Sequence, residues 1–85
     1  MEFEDVKIGM KVVPISKSVG FGGAGLDRSY SWSKAKEMNQ LYLFVTGFDE
    51  DDSKVVLCSS SFSDITLGNG DFFLSKDLIP YEEVL

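Results

Sequence analysis

A mainly β protein, a small antiparallel barrel of five or six short strands with a long early loop and one short helix, is what this sequence predicts. Three observations carry that expectation. Short apolar runs rich in Val, Leu, Ile and Phe recur along the chain, and polar or glycine-bearing turn signals separate them. At 85 residues the chain is expected to form one domain over 1–85, near the lower size limit for a core without staples. Cys58 is the single cysteine, so no internal disulfide supplements that core.

In chain order, Ile8-Gly9-Met10-Lys11-Val12 reads as a turn feeding a strand at Met10–Ile15, MKVVPI. Proline lacks the ladder donor, so this strand lies at an edge or ends at Pro14. Residues 16–31, rich in serine and glycine, form the long loop. About two helical turns follow over 31–39, with Ser31 or Ser33 as cap, good helix formers from Lys34 to Met38, and Asn39 as the stop. Trp32, Ala35 and Met38 then share one face.

Leu41–Phe48, LYLFVTGF, is the strongest strand, and Val55–Ser59, VVLCS, is its antiparallel return across the acidic turn DEDDS at 49–53. Asn69-Gly70 carries a hairpin signal, predicting that Ile65–Gly68 pairs with Asp71–Leu74. Ser75–Leu78 reads as a single tight turn, and Ile79-Pro80-Tyr81 as a short final edge strand.

This order of elements resembles the SH3-like barrels, including the KOW and Tudor branches, over most of the chain. The stretch Gly70–Pro80, GDFFLSKDLIP, is similar to the family's passage through one tight turn into the last strand, and Ile8–Val12 resembles its opening strand. The resemblance implies a module that binds peptides, nucleic acids or partner domains. No family ligand-binding residue matches a position here, so none is carried over. The chain also resembles small accessory proteins of bacteriophages, which implies binding to a host protein.

Charge and inventory narrow the function. Net charge is −6: residues 1–40 hold six basic and five acidic side chains, residues 41–85 two basic and nine acidic. Such a surface repels phosphate backbones and suits a basic partner. With one sulfur and no imidazole, neither a structural zinc site nor a Cys–His or Ser–His nucleophile can be assembled. A carboxylate-dependent enzyme would have to gather Asp27, Asp64 or Asp71. The acidic start MEFEDVK is unlike a signal peptide and no apolar run approaches membrane-spanning length, so the expected setting is the cytoplasm.

The stretch SVGFGGAGLD at 18–27 has the G-x-G-x-x-G spacing at Gly20, Gly22 and Gly25. A dinucleotide fold needs a buried parallel strand running into that loop and a helix leaving it. Pro14, the polar Ser16-Lys17-Ser18 and the antiparallel LYLFVTGF–VVLCS pair oppose it. The glycines read as turn chemistry, and a nucleotide-like anion ringed by freed N–H groups, with Lys17 and Arg28 beside it, is the alternative. DEDDS fails as an EF-hand loop, because its sixth and twelfth positions are Lys54 and Ser60.

The aromatics remain. LYLFVTGF is apolar on both faces, with Leu41, Leu43 and Val45 on one and Tyr42, Phe44 and Phe48 on the other. Either the segment carrying Trp32, Ala35 and Met38 covers the second face, or that face receives a partner or a second copy. Phe21, Tyr30 and Trp32 near the loop are candidates to line a groove. Cys58 reads as a small buried apolar residue, and Ser59–Ser61 as loop. The expectation is therefore a non-catalytic binding module without cofactor or metal, of inhibitor or adaptor type. It engages a protein through Phe21, Gly22, Arg28, Tyr30, Trp32, Tyr42, Phe44 and Phe48; nucleic-acid and membrane partners are not expected.

Overall fold

The computed structural model of the chain describes residues 1–15, 30–49 and 54–84. The expected mainly β architecture is present as five strands: β1 Lys11–Pro14, β2 Leu43–Phe48, β3 Val55–Ser59, β4 Asp71–Leu74 and β5 Leu78–Pro80. All pairings are antiparallel in one sheet of order β4-β3-β2-β1-β5. The strands therefore meander from β1 to β4, and β5 returns to lie beside β1.

A single 3-10 turn at Ser75–Asp77 joins β4 to β5, which lie at opposite edges of this sheet. Laid flat, five strands would hold their edges about 19 Å apart. The four steps from Leu74 to Leu78 reach at most about 14 Å even when fully extended. The sheet is therefore rolled, with its two edges brought toward each other. The Met1 amino nitrogen lies at that junction, donating to the Ser75 carbonyl at 3.1 Å and the Leu78 carbonyl at 3.0 Å.

β1 ends at Pro14, as expected, but is not an edge strand: it pairs with β2 through Lys11↔Phe44 and Val12↔Leu43, and with β5 through Val13↔Ile79. The last position of a strand accommodates the missing N–H, and Ile15 resumes donation to the Asp77 carbonyl at 2.8 Å. Gly9, at φ 88°, supplies the left-handed turn before β1.

Val6, Val12, Ala35, Leu43, Val45, Val56, Cys58, Phe73 and Leu78 form the interior, and Met1, Phe3, Met10, Trp32 and Phe48 pack against it. Helix α1, Tyr30–Glu37, contributes Ala35, which is fully buried, and Trp32; Met38 beyond its end is half exposed, so only two of the three expected face-sharing residues turn inward. Asn39 stops the helix in the left-handed region at φ 58°. Gln40 then donates back to the Ala35 carbonyl at 2.8 Å and Asn39 to Lys36 at 3.0 Å, the bond pair of a Schellman ending. Neither Ser31 nor Ser33 is the cap, because the helix already begins at Tyr30.

The expected 65–74 hairpin does not form. Residues Asp64–Leu67 are one helical turn, α2, and β4 pairs with β3 instead, in the register Val55↔Leu74 to Cys58↔Asp71. Gly68 at φ 67° closes α2 with the same ending, Asn69 donating to Asp64 and Gly68 to Ile65. A last short turn, α3 at Tyr81–Val84, follows β5, so Tyr81 belongs to a helix and not to the final strand. Among the described residues no helix is long and apolar enough to cross a membrane.

Candidate functional site: an aromatic stripe on the outer sheet face

Strand alternation sends Leu43 and Val45 into the core and leaves Tyr42 and Phe44 on the outer face, half-buried. Between Val45 and Gly47 the β2–β3 register slips by one residue, so that Gly47 faces Leu57 and Phe48 faces Val56. This bulge at Thr46 reverses the side on which the following residues lie. Phe48 consequently packs against the core and meets Phe3 edge-on at 5.4 Å. The expected trio is thus divided: Tyr42 and Phe44 share the outer face and Phe48 does not.

Two rings from distant segments complete that face. Phe44 contacts Tyr42 and Phe62, each at 5.3 Å between centroids and 82° between planes. Tyr42 in turn meets Tyr81 at 4.9 Å and 47°. Phe62, Phe44, Tyr42 and Tyr81 therefore form one continuous stripe in edge-to-face and tilted geometry, the arrangements ring quadrupoles favour. Phe62 is 66% exposed. The Lys11 Nζ sits 4.7 Å above the Tyr42 ring, close enough for a cation–π contact. Helix α1 does not cover this face, since Trp32 and Ala35 belong to the opposite, core side.

The start of β2 is held where the stripe needs it. Gln40 Nε2 donates to the carbonyls of Tyr42 and Ser60, both at 2.9 Å, clipping the entry to β2 onto the exit from β3. Phe62 lies two residues beyond that clip, which sets its ring beside Phe44. Sequence reasoning missed Phe62, Tyr81 and Lys11. Phe62 sits in the polar run SSSFSD and Tyr81 in a segment read as strand, and nothing local marks either as a neighbour of Tyr42.

A second feature is a cleft of about 600 Å³ bordered by Ser31 and Lys34 of α1, by Ser59–Ser61, by Asp64 at the start of α2 and by residues 68–72 after it. It brings Asp64 and Asp71 to one concavity; Asp27, the third carboxylate considered, lies outside the described residues. Asp71 is 1% exposed, and its Oδ2 accepts the Ser31 N–H at 2.8 Å, placing negative charge at the first turn of α1. Asp64 accepts from the Ser59 hydroxyl at 2.5 Å. Cys58, paired with Asp71 across the strands, is fully buried; burial and then the nearby Asp71 charge push its thiol far above the ordinary range, which suppresses the thiolate. Among the described residues no three His, Cys, Asp or Glu side chains are grouped to hold a metal ion.

Of the other expected contact residues, Trp32 is half-buried against the core, with the Lys36 Nζ 5.3 Å above its ring. Phe21, Gly22, Arg28, the side chain of Tyr30 and the whole Gly20–Gly25 loop lie outside the described residues, as does most of the DEDDS turn. No protein-family model matches this chain, and comparison with curated proteins and with solved structures gives no significant match.

Proposed function

We propose that this chain is a non-catalytic protein-binding module that works in the cytoplasm as an inhibitor or adaptor, and that the outer aromatic stripe is its docking face. The observation that carries this reading is the stripe itself. Four rings in successive contact, ending in a Phe62 that is 66% exposed, lie on a sheet face that α1 does not cover. Contiguous aromatic surface of this kind concentrates binding energy, because rings bury large area with few rotors to freeze. The SH3-like resemblance is supported by the strand order, with β5 returning to pair with β1 after one 3-10 turn. Binding is the common use of such barrels.

The test is affinity capture from lysate with the immobilised wild-type chain, Phe62→Ser and Tyr42→Ser in parallel, each checked for native circular dichroism. Proteins retained by the wild type and lost from both variants are the expected result. Retention that survives both substitutions removes the stripe as the docking face.

A further inference from the structure

We infer that the segment received by this stripe is an arginine-bearing stretch of the partner protein, its guanidinium stacking on the Tyr42 ring face that Lys11 now covers. The inference rests on the reading of the stripe as a docking face and adds the chemistry of what it takes. Tyr42 already receives a cation, with Lys11 Nζ 4.7 Å above its centroid, so this ring face is open to positive charge from the strand side. One end of the stripe carries carboxylates: Glu82 and Glu83, both exposed, follow Tyr81. A cationic segment laid along the rings therefore meets attraction at the Tyr81 end, whereas a phosphate backbone or anionic lipid surface meets repulsion from a chain of net charge −6.

Arginine fits better than lysine. Its planar guanidinium stacks on a ring while its N–H groups still reach a carboxylate in a fork, and it sheds water more easily than an ammonium. Its methylene stem can lie along the exposed Phe62 ring and the half-buried Phe44 ring. Lys11 then acts as an internal competitor that the incoming arginine displaces.

The test uses the whole chain and a blocked synthetic decapeptide alternating arginine with leucine and glycine, beside versions carrying lysine, citrulline or glutamate at the arginine positions. Aromatic NMR resonances of Tyr42, Phe44, Phe62 and Tyr81 report the site, and dilution of the chain alone reports self-association. The arginine peptide is expected to shift all four rings and to bind about 3–10-fold more tightly than the neutral citrulline version, the size of one cation–π contact. Lysine is expected to fall between them and glutamate to shift nothing. Lys11→Gln is expected to tighten the arginine peptide severalfold, because the competitor is gone. Equal binding of the citrulline peptide, or weaker arginine binding in Lys11→Gln, overturns the inference while leaving the docking face standing. Ring shifts on dilution alone would assign the face to a second copy and overturn it as well. If no peptide shifts the rings, the inference also fails, and the capture experiment still judges the docking face on its own.

Discussion

Cys58 and Gly70 meet in close backbone approach. A Cβ added to Gly70 would lie 2.7 Å from the Cys58 carbonyl oxygen, 2.8 Å from its amide nitrogen and 2.8 Å from the Thr46 hydroxyl. Two of these atoms are backbone and have no rotamer to escape into. Gly70→Ala is therefore expected to cost about 1–3 kcal/mol, read as a lower urea midpoint. The glycine serves close approach, not the hairpin turn that its Asn-Gly context suggests. Cys58 itself has a pH signature. Its thiol, ordinarily at 9.0, is held protonated in the folded chain, while the unfolded chain ionises at that ordinary value. Above pH 9 the unfolded state has lost a proton that the native state keeps, so stability is full below that pH and falls above it. The slope approaches about 1.4 kcal/mol per pH unit. Denaturant melts between pH 8 and 10 should show this decline, and Cys58→Ala should flatten it. Thiol reagents should leave native Cys58 unmodified until the chain unfolds.

At the scale of elements, α1 and the bulge in β2 decide what each face of the sheet carries. The Ser31 N–H in the first turn of α1 is satisfied from across the fold by the buried Asp71 carboxylate at 2.8 Å. Asp71→Ala leaves that donor buried without this acceptor and is expected to cost about 1–3 kcal/mol. Asp71→Asn retains an acceptor and should cost less. Hydrogen exchange at the Ser31 amide, faster in the alanine variant than in the asparagine one, separates this cap from a general loss of packing. The bulge is secured by Thr46, whose hydroxyl donates to the Asn69 carbonyl at 2.7 Å, with the Leu57 carbonyl 3.2 Å away. That bond ties the bulge to the segment after α2. The helical turn α2 thus wins over the β propensity of Ile65 and Thr66 because Gly68 ends it in the left-handed region and β4 already occupies the free side of β3.

The whole molecule joins these parts through one topological fact, the return of β5 to β1 after a three-residue turn. Rolling the sheet encloses Phe73, Leu43 and Leu78 and turns Tyr42 and Phe44 outward, where Tyr81 arrives just past β5 and Phe62 just past β3. Because Phe62 contributes mainly exposed surface, Phe62→Ser should change stability by no more than about 0.5 kcal/mol while removing partner retention. A large drop in melting temperature would show instead that Phe62 is part of the core support. The acidic balance of the second half is a property of the whole surface and should make association with a basic partner faster at low ionic strength.

Length, turn signals and the short apolar runs LYLFVTGF and VVLCS were enough to determine a mainly β chain, the bounds of β3, a helix stopped at Asn39 and the single turn before the last strand. These are local properties, set by the φ/ψ preferences and side-chain period of neighbouring residues. Tertiary structure alone decided that Phe48 turns inward, that residues 64–67 coil, that Asp71 caps α1, and that Phe62 and Tyr81 stand beside Phe44 and Tyr42. Each of these depends on which strands lie side by side. Strand order follows from burying one shared core, a constraint that no short stretch of sequence expresses by itself.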